Sequence, residues 1–210
     1  MKIAIIGAGN VGGILGKGWA KAGHEVVFGV RDPADPKWKD LLAAAGGPTK
    51  AARVRDAAAT AEVIVLTVPW GAAEDALKNA GNLKGKILLD CTNPLKPDLS
   101  GLTHGWTSSG GEQVAAWAPG ARVVKIFNTT GFGNMANPVY AEGAAMMLYC
   151  GDDPAAKKTA ARLARELAFE PYDAGPLQEA RLLEPFALTW IHLAIVQKLG
   201  TNFAFLLKKR

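Results

Sequence analysis

The stretch MKIAIIGAGNVG, from Met1 to Gly12, decides the fold of this chain. Ile3 to Ile6 is an apolar run of strand length, and apolar residues then recur at helical spacing from Val11 to Trp19. A second apolar run, Glu25 to Val30, follows after a short turn. These three segments predict a β-α-β unit, in which a helix joins two parallel strands.

Three glycines, Gly7, Gly9 and Gly12, spell G-x-G-x-x-G between the first strand and the helix, which is the context in which this motif binds dinucleotides. We expect Gly7 to permit the tight turn, Gly9 to let the backbone approach a pyrophosphate, and Gly12 to let the helix pack close to the strand. The N–H groups of Asn10 and Val11, at the start of the helix, would face the phosphates. The alternative is that the glycines only shape a turn.

Strand-length apolar runs alternate with helix-period segments along most of the chain. Helices are predicted at 35–45 and from Pro154, which follows a good N-cap residue, Asp153. Further strands are predicted at residues 51–54, 63–68, 86–90, 122–127, 145–150 and 170–172. The near-continuous hydrophobicity of most of them is typical of parallel strands covered by helices on both faces. We therefore predict an α/β fold with a Rossmann-type, doubly wound, mostly parallel sheet, and a single NAD(P)-binding domain over residues 1–210.

The end of the chain has a helical pattern from Gln178 to Leu207, with a break or kink near Pro185 and another at Gly200. We interpret residues 176–210 as a short helical extension packed on the sheet domain. Its apolar residues include Leu183, Phe186, Ile191, Ile195, Phe203 and Phe205. They cannot all lie on one side of a helix, so we predict that this segment mediates a homodimer.

Composition excludes several classes of protein. Hydrophobic residues make up 49% of the chain and charged residues 20%, which is enough apolar material for a full core and argues against intrinsic disorder. The net charge of +5 is spread along the sequence rather than gathered in a basic stripe, so no nucleic-acid partner is expected.

The cysteines and the first residues of the chain bear on the cellular compartment of the protein. Cys91 and Cys150 lack metal-ligand spacing, so we expect two buried reduced thiols and no metal site. The first residues run from a short apolar stretch straight into glycines and lack the features of a secretory signal, and no apolar run is suited to cross a bilayer. We expect a cytoplasmic protein with no membrane partner.

The end of the second predicted strand, which finishes at Arg31, bears on the choice of cofactor. NAD enzymes usually place a carboxylate there, against the ribose hydroxyls. Arg31 would instead pair bidentately with a 2′-phosphate, which favours NADP. Asp32 would serve NAD if the strand ended one residue later, and a surface arginine without a ligand is the remaining alternative.

Longer motifs carry a resemblance to a known family. They are GAGNVG at 7–12, GHEVVFGVR at 23–31, LTVPW at 66–70, CGDDPAAKK at 150–158 and DAGPL at 173–177, followed by Arg181 and Leu182. With them the chain resembles, over nearly its whole length, the F420-dependent NADP oxidoreductases, which pass hydride between NADPH and an 8-hydroxy-5-deazaflavin. More distantly, it is similar to the cytosolic domain of the six-transmembrane metalloreductases.

The resemblance implies an NADP-dependent oxidoreductase with Arg31 at the 2′-phosphate. It also implies that one turn lies along the nicotinamide half of the cofactor, formed by Thr67, Val68, Pro69 and Trp70. Relatives often carry a hydroxyl side chain just before the arginine and a basic residue four positions beyond it, where this chain has Val30 and Asp35. Lys37 and Lys39 are candidates to substitute for the missing base.

Residues that follow two other predicted strands are candidates for the substrate pocket, because ligands bind beyond the carboxyl ends of parallel strands. They are Asn93, Asn128, Thr129 and Phe132, and we expect Asn93 with Pro94 also to contact the cofactor. Some deazaflavin enzymes have a His-Thr pair where this chain has Asn128 and Thr129. For Asn93, before a proline, ordinary turn chemistry is the alternative.

None of these residues is an obvious general base. Hydride transfer does not require one, because the redox carriers hold the reactive atoms and the protein chiefly orients two rings. Three functions therefore remain: an NADPH-linked oxidoreductase with a deazaflavin or flavin acceptor, a reductase of a small carbonyl or imine, and a non-catalytic NADP sensor. Length counts against the second, since such reductases usually append a large helical catalytic domain.

Overall fold

The computed structural model describes residues 1–210 and shows the predicted alternation of strands and helices. The strands are β1 (Lys2–Ile6), β2 (Glu25–Val30), β3 (Thr49–Arg53), β4 (Val63–Leu66), β5 (Ile87–Asp90), β6 (Arg122–Lys125), β7 (Val139–Tyr140), β8 (Gly143–Ala144), β9 (Met146–Gly151) and β10 (Glu170–Asp173). The α-helices are α1 (Asn10–Lys21), α2 (Trp38–Ala45), α3 (Val54–Thr60), α4 (Ala73–Ala80), α5 (Gly110–Trp117), α6 (Phe132–Ala136), α7 (Pro154–Glu166) and α8 (Ala180–Ile191).

Eight strands form one sheet, in the order β10-β9-β6-β5-β4-β1-β2-β3, while β7 and β8 form a separate hairpin. Every neighbouring pair in the large sheet is parallel except β6 and β9. The run β3-β2-β1-β4-β5-β6 is the Rossmann strand order, in which ligands bind where the order reverses, between β1 and β4. The prediction of a doubly wound, mostly parallel α/β sheet is confirmed.

The core occupies both faces of the sheet, as the apolar strands require. One cluster of 27 buried residues lies under α1 and α7, and another of 17 lies under α3, α4 and α5. Trp19 of α1 is fully buried, and its Nε1 donates to the carbonyl of Leu163 in α7 at 3.0 Å. Asp153 caps α7 as predicted, because its carboxylate accepts the N–H of Ala156 at 2.7 Å.

The C-terminal segment differs from the prediction of a helix reaching Leu207. The helix α8 continues through Pro185, where a break or kink was predicted, and residues 197–210 contain no helix or strand. Lys198 and Gly200 have positive φ angles of 58° and 81°. Because right-handed helices require negative φ, two such residues close together end the helical path.

Beyond this turn the tail folds back on the chain. Phe203 stacks on Trp190 with ring centroids 5.1 Å apart, and Phe205 lies 4.8 Å from Phe186 by the same measure. The N–H of Met146, at the start of β9, donates to the carbonyl of Phe205 at 3.0 Å. The two phenylalanines are therefore covered within the chain and do not support a dimer.

Other apolar residues of the same segment do reach the surface. Leu182 and Leu199 are each 64% exposed, Ile195 is 52% exposed and Val196 is 50% exposed. The homodimer stays a prediction that rests on these four side chains. No helix of the structure combines the length and the apolar composition that spanning a bilayer requires.

Candidate active site

Two glycines shape the turn after β1, and a side chain at either position would force neighbouring atoms to shift. Gly7 has a φ of 106°, in the region that favours glycine. A Cβ at Gly12 would lie 1.9 Å from the carbonyl oxygen of Gly7 and 2.7 Å from Oγ1 of Thr67. Gly9 is different, since it is exposed and a Cβ there would meet no atom within 4 Å. The space above Gly9 is open to a ligand.

The start of α1 beside this turn is also open. The helix has no acidic residue in its first turn and no side-chain cap, so the first N–H groups, including those of Asn10 and Val11, have no side-chain acceptor. Free N–H groups and the positive end of a helix dipole favour an anion. The predicted glycine motif therefore has the geometry of a phosphate-binding turn.

Thr67 joins the glycine turn to the turn after β4. Its Oγ1 lies 2.7 Å from the carbonyl oxygen of Gly7, and its N–H donates to the carbonyl of Ile6 at 2.9 Å. Val68 also contacts this turn, and Pro69 is exposed. The ring of Trp70 instead packs near Trp117 and His104, with centroids 5.2 Å and 5.4 Å away.

A cavity of about 390 Å³ opens at the carboxyl ends of β2 and β3. Three arginines line it: Arg31 after β2, Arg53 at the end of β3 and Arg55 in α3. None of the three takes part in an ion pair within 4 Å, and Asp56 is the one acidic residue in the lining. Guanidinium groups gathered without partners repel one another, so the cavity suits an anion.

Sequence reasoning had singled out Arg31 but missed Arg53 and Arg55. A signal was present, since Arg53 and Arg55 flank the end of a predicted strand at the edge of the sheet where ligands bind.

Asp32, the alternative acceptor for the ribose of NAD, already has a hydrogen-bond partner within its own turn. Its Oδ1 accepts the N–H of Ala34 at 3.0 Å, within the turn. Lys37, a candidate substitute base, is paired with Asp35 at 2.5 Å, and its hydrogen bonds lower the pKa of that carboxyl. Arg31 has no ion-pair partner within 4 Å, and neither does Lys39 of α2, the other candidate base.

Asn93 and Asn128, which follow β5 and β6, contact each other directly. Nδ2 of Asn93 donates to the carbonyl of Asn128 at 2.9 Å, and Nδ2 of Asn128 donates to Oδ1 of Asn93 at 3.0 Å. Nδ2 of Asn128 also lies 3.3 Å from the carbonyl of Leu183 in α8. Asn93 is therefore more than a turn starter, because it bridges the ends of two strands.

The other predicted pocket residues lie apart from this amide pair. Thr129 is buried, and its hydroxyl approaches the sulfur of Met147 in β9 at 3.9 Å, on the core side. Pro94 is buried against the start of α5. Phe132, the first residue of α6, is 49% exposed. The structure thus brings together two of the four predicted pocket residues, Asn93 and Asn128.

A buried ionic cluster, which sequence reasoning missed, lies at the ends of the same strands. Lys125 is fully buried, with its Nζ 2.8 Å from Asp90 and 2.7 Å from Glu184 of α8. Glu184 also accepts the N–H groups of Gly110 and Gly111, at the start of α5, at 2.8 Å and 2.9 Å. Burial alone would lower the pKa of Lys125, but the two carboxylates outweigh it and raise this pKa.

The two cysteines are both free thiols. Burial raises the pKa of Cys150 to about 12, and burial, with the charge of Asp90 beside it, also raises the pKa of Cys91 well above its ordinary value. Thiols of this kind are protonated at neutral pH and are poor nucleophiles. No group of three or more His, Cys, Asp or Glu side chains is arranged to hold a metal ion.

The strand order, the glycine turn at the switch point and the arginine-lined cavity beside it define a dinucleotide-binding protein of the Rossmann type. The sequence model of the family described as "NADP oxidoreductase coenzyme F420-dependent" matches residues 2–94. The F420-dependent NADP reductase of Methanothermobacter thermautotrophicus is 32% identical over 212 residues, which cover 93% of this chain and 90% of that protein. The chain therefore belongs to the F420-dependent NADP oxidoreductase family, and it is an NADP-dependent oxidoreductase.

Two further relatives agree with this assignment. The crystal structure of a candidate F420-dependent NADP reductase from Arthrobacter sp. FB24 has a TM-score of 0.89 and 34% identity, with all of both chains covered. The metalloreductase STEAP3 of Rattus norvegicus is 32% identical over 188 residues, or 89% of this chain. The chain spans 36% of the length of STEAP3, so that likeness concerns one part of the metalloreductase.

Proposed function

We propose that this protein transfers hydride between NADP(H) and a ring acceptor of the deazaflavin or flavin type. The observation that carries the proposal is the cavity lined by Arg31, Arg53 and Arg55 next to the glycine turn. A dinucleotide whose pyrophosphate lies on that turn extends its adenosine half toward the end of β2. NADP differs from NAD by a phosphate at this point, and unpaired guanidinium groups are its preferred ligands in proteins.

The proposed cofactor contacts follow the carboxyl edge of the sheet. The pyrophosphate contacts are Gly7, Gly9, Asn10, Val11 and Gly12. The 2′-phosphate contacts are Arg31, Arg53 and Arg55. The contacts to the nicotinamide half are Thr67, Val68, Pro69, Trp70, Asn93 and Pro94. The residues present fit NADP because the space above Gly9 is open and the three arginines lack protein partners.

When bound, NADPH supplies the hydride. The work of this chain is to hold two rings in contact and exclude water, since hydride transfer between two ring carriers needs no protein acid or base. The side-chain amide of Asn93, which keeps one N–H and one lone pair without a protein partner, is suited to bind a carboxamide or a ring carbonyl. Phe132 is exposed enough to offer a ring face to an aromatic acceptor.

The acceptor is proposed as a class because two relatives have different activities. One is an F420-dependent NADP reductase and the other is a metalloreductase. A deazaflavin and a flavin share a flat tricyclic ring that accepts hydride, and either would meet the same amides.

The test is a panel of acceptors with the purified protein. We expect steady-state oxidation of NADPH with coenzyme F420 or with a flavin, followed by absorbance at the NADPH band, and tight NADPH binding by titration calorimetry. Tight NADPH binding with no turnover on any acceptor would support the sensor function instead. Absence of NADPH binding would overturn the proposal as a whole.

We also propose that the exposed apolar side chains Leu182, Ile195, Val196 and Leu199 form a homodimer contact in a cytoplasmic enzyme. Sedimentation of the wild-type protein should give a dimer, and a Leu182→Glu/Ile195→Glu variant should sediment as a monomer. A stable wild-type monomer would rule out this contact.

A further inference from the structure

Each of the three charged residues of the buried ionic cluster lies on a segment that also carries a residue of the amide pair or a hydrogen-bond partner of it. Asp90 lies three residues before Asn93, and Lys125 lies three residues before Asn128. Glu184 follows Leu183, whose carbonyl accepts from Asn128. Each charged side chain is thus anchored on the segment that places one hydrogen-bonding group of the amide pair.

The cluster satisfies its own charges without water. Oδ2 of Asp90 contacts Lys125, while its Oδ1 accepts both the N–H and the hydroxyl of Thr92, at 2.9 Å and 2.7 Å. Glu184 receives Lys125 and two backbone N–H groups of α5. Buried ion pairs are a costly way to hold elements together, because apolar residues of the same size often do it as well. Their presence points to a need for defined geometry.

The hydrogen bonds fix the orientation of both amide groups. Each Nδ2 faces a backbone carbonyl, that of Asn128 or that of Leu183, and a carbonyl can only accept. Neither amide can therefore flip without losing a bond. In this arrangement Oδ1 of Asn128 is the one buried side-chain nitrogen or oxygen atom in the chain without a hydrogen-bond partner. Asn128 is only 4% exposed, whereas Asn93 is half-buried and keeps a second N–H and a second Oδ1 lone pair without a protein partner.

We propose that Asp90, Lys125 and Glu184 are positioning residues, which hold the Asn93–Asn128 amide pair so that the side-chain amide of Asn93, its half-buried member, hydrogen-bonds to a bound ring. The nicotinamide carboxamide and the imide of a flavin or deazaflavin each offer this amide a donor and an acceptor. This proposal rests on the proposed function for the identity of the ring, but the positioning itself is a property of the ligand-free chain.

The chain offers a matched control for this role. Glu112 of α5 pairs with Arg181 of α8 in a bidentate contact, at 2.6 Å and 2.9 Å. This pair and Glu184 join the same two helices, but Glu112 contacts Ser109 and Arg181 and has no contact with Lys125. Glu184→Gln and Glu112→Gln each remove one carboxylate charge between α5 and α8.

The first measurement uses the protein without cofactor. Side-chain amide NMR signals of Asn93 and Asn128, assigned by their loss in Asn93→Ala and Asn128→Ala, should shift and exchange faster in Glu184→Gln and stay in place in Glu112→Gln. Unchanged amide signals in folded Glu184→Gln would overturn the proposal. Should Glu184→Gln not fold, Asp90→Asn, which keeps the shape of the side chain, is subject to the same criterion.

The second measurement is hydride transfer at saturating NADPH. Glu184→Gln should lower kcat about tenfold or more, because small displacements of orienting groups are costly to transfer rates, with little change in KM for NADPH. In an Asn93→Ala background the same substitution should lower kcat by less than about twofold, since the group it positions is gone. If the two substitutions together lowered kcat by the product of their single effects, the proposal would be contradicted.

The two measurements separate failure of this proposal from failure of the proposed function. Moved amide signals with no turnover on any acceptor, already in the wild type, would reject the hydride-transfer function and retain the positioning role. Turnover with unmoved amide signals would retain the hydride-transfer function and reject the positioning role.

Discussion

The two charged regions at the carboxyl edge of the sheet are opposites. At the ends of β2 and β3, Arg31, Arg53 and Arg55 surround an open cavity and have no acidic partner within ion-pair distance. At the ends of β5 and β6, Lys125 is fully buried between Asp90 and Glu184. Charges that the chain leaves unpaired and hydrated are available to a ligand, whereas charges that it pairs and buries fix the backbone around them.

The largest effect should come from breaking the paired region. Lys125→Met leaves two buried carboxylates without a cation, and we expect a loss of about 3–5 kcal/mol in the free energy of unfolding. Chemical denaturation measures it, with Lys158→Met, at an exposed lysine of α7, as a control that changes little. The triple variant Lys125→Met/Asp90→Asn/Glu184→Gln, which removes all three charges, should regain part of the loss. A loss below about 1 kcal/mol in the single variant would contradict the account of the paired region.

Removing a charge from the unpaired region should weaken cofactor binding and leave the free energy of unfolding nearly unchanged. Arg31→Ala is expected to weaken NADPH binding by about ten- to a hundredfold, the range of one charge-assisted contact, and to change NADH binding by less than about threefold. Its free energy of unfolding should stay within about 0.5 kcal/mol of the wild type, because no ion pair is lost. Titration calorimetry with both cofactors and denaturation together check this. Arg165→Ala, at an exposed arginine of α7, is the matched control. Equal losses for NADPH and NADH would remove Arg31 from the phosphate site.

A smaller effect is expected at Arg53 and Arg55. Arg53→Ala and Arg55→Ala should each weaken NADPH binding by about three- to tenfold, because they follow β3, one strand farther than Arg31 from the end of β2 where the ribose of a dinucleotide binds. All three guanidinium groups are exposed, so salt screens them. Raising the ionic strength should therefore weaken NADPH binding more than NADH binding in the wild type. If neither variant changes the ratio of the two dissociation constants, the cavity does not hold the 2′-phosphate.

The smallest effect should come from the half-exposed ion pair of Glu112 with Arg181. A hydrogen bond from Arg181 is the main cause that lowers the pKa of Glu112 below its ordinary value of 4.5. A carboxyl with a lowered pKa stabilises the fold above its unfolded pKa, and this contribution is lost as pH falls through the folded value. Glu112→Gln should thus cost about 1 kcal/mol or less near neutral pH, and the difference from the wild type should shrink below pH 4.5. A constant difference across that range would mean that the pair is not the cause.

The sequence allowed prediction of those features that depend on near neighbours in the chain. The glycine turn, the first strands and Arg31 lie within 31 residues, and each has a local physical reason that the structure retains. The cluster of Lys125, Asp90 and Glu184 was not predictable in the same way. Its members lie on three separate elements, and burial of a lysine becomes favourable only once its two partners are in place.

The tail shows a different limit. Phe203 and Phe205 fit a helical apolar pattern, but periodicity does not reveal that Lys198 and Gly200 adopt positive φ angles. A reversal of the chain there places both rings on α8 rather than along it. The apolar pattern therefore identified residues that pack against the rest of the chain, but it predicted the wrong path for the backbone.

The carbonyl of Phe203 has a consequence for handling the protein. It accepts from Nδ2 of Asn134 at 2.6 Å and from Nε1 of Trp190 at 3.1 Å, so the tail is bonded to both α6 and α8. A purification tag or fluorescent label joined after Arg210 lies only seven residues beyond this contact. Preparations with such a fusion should be compared with the cleaved protein before any rate is interpreted.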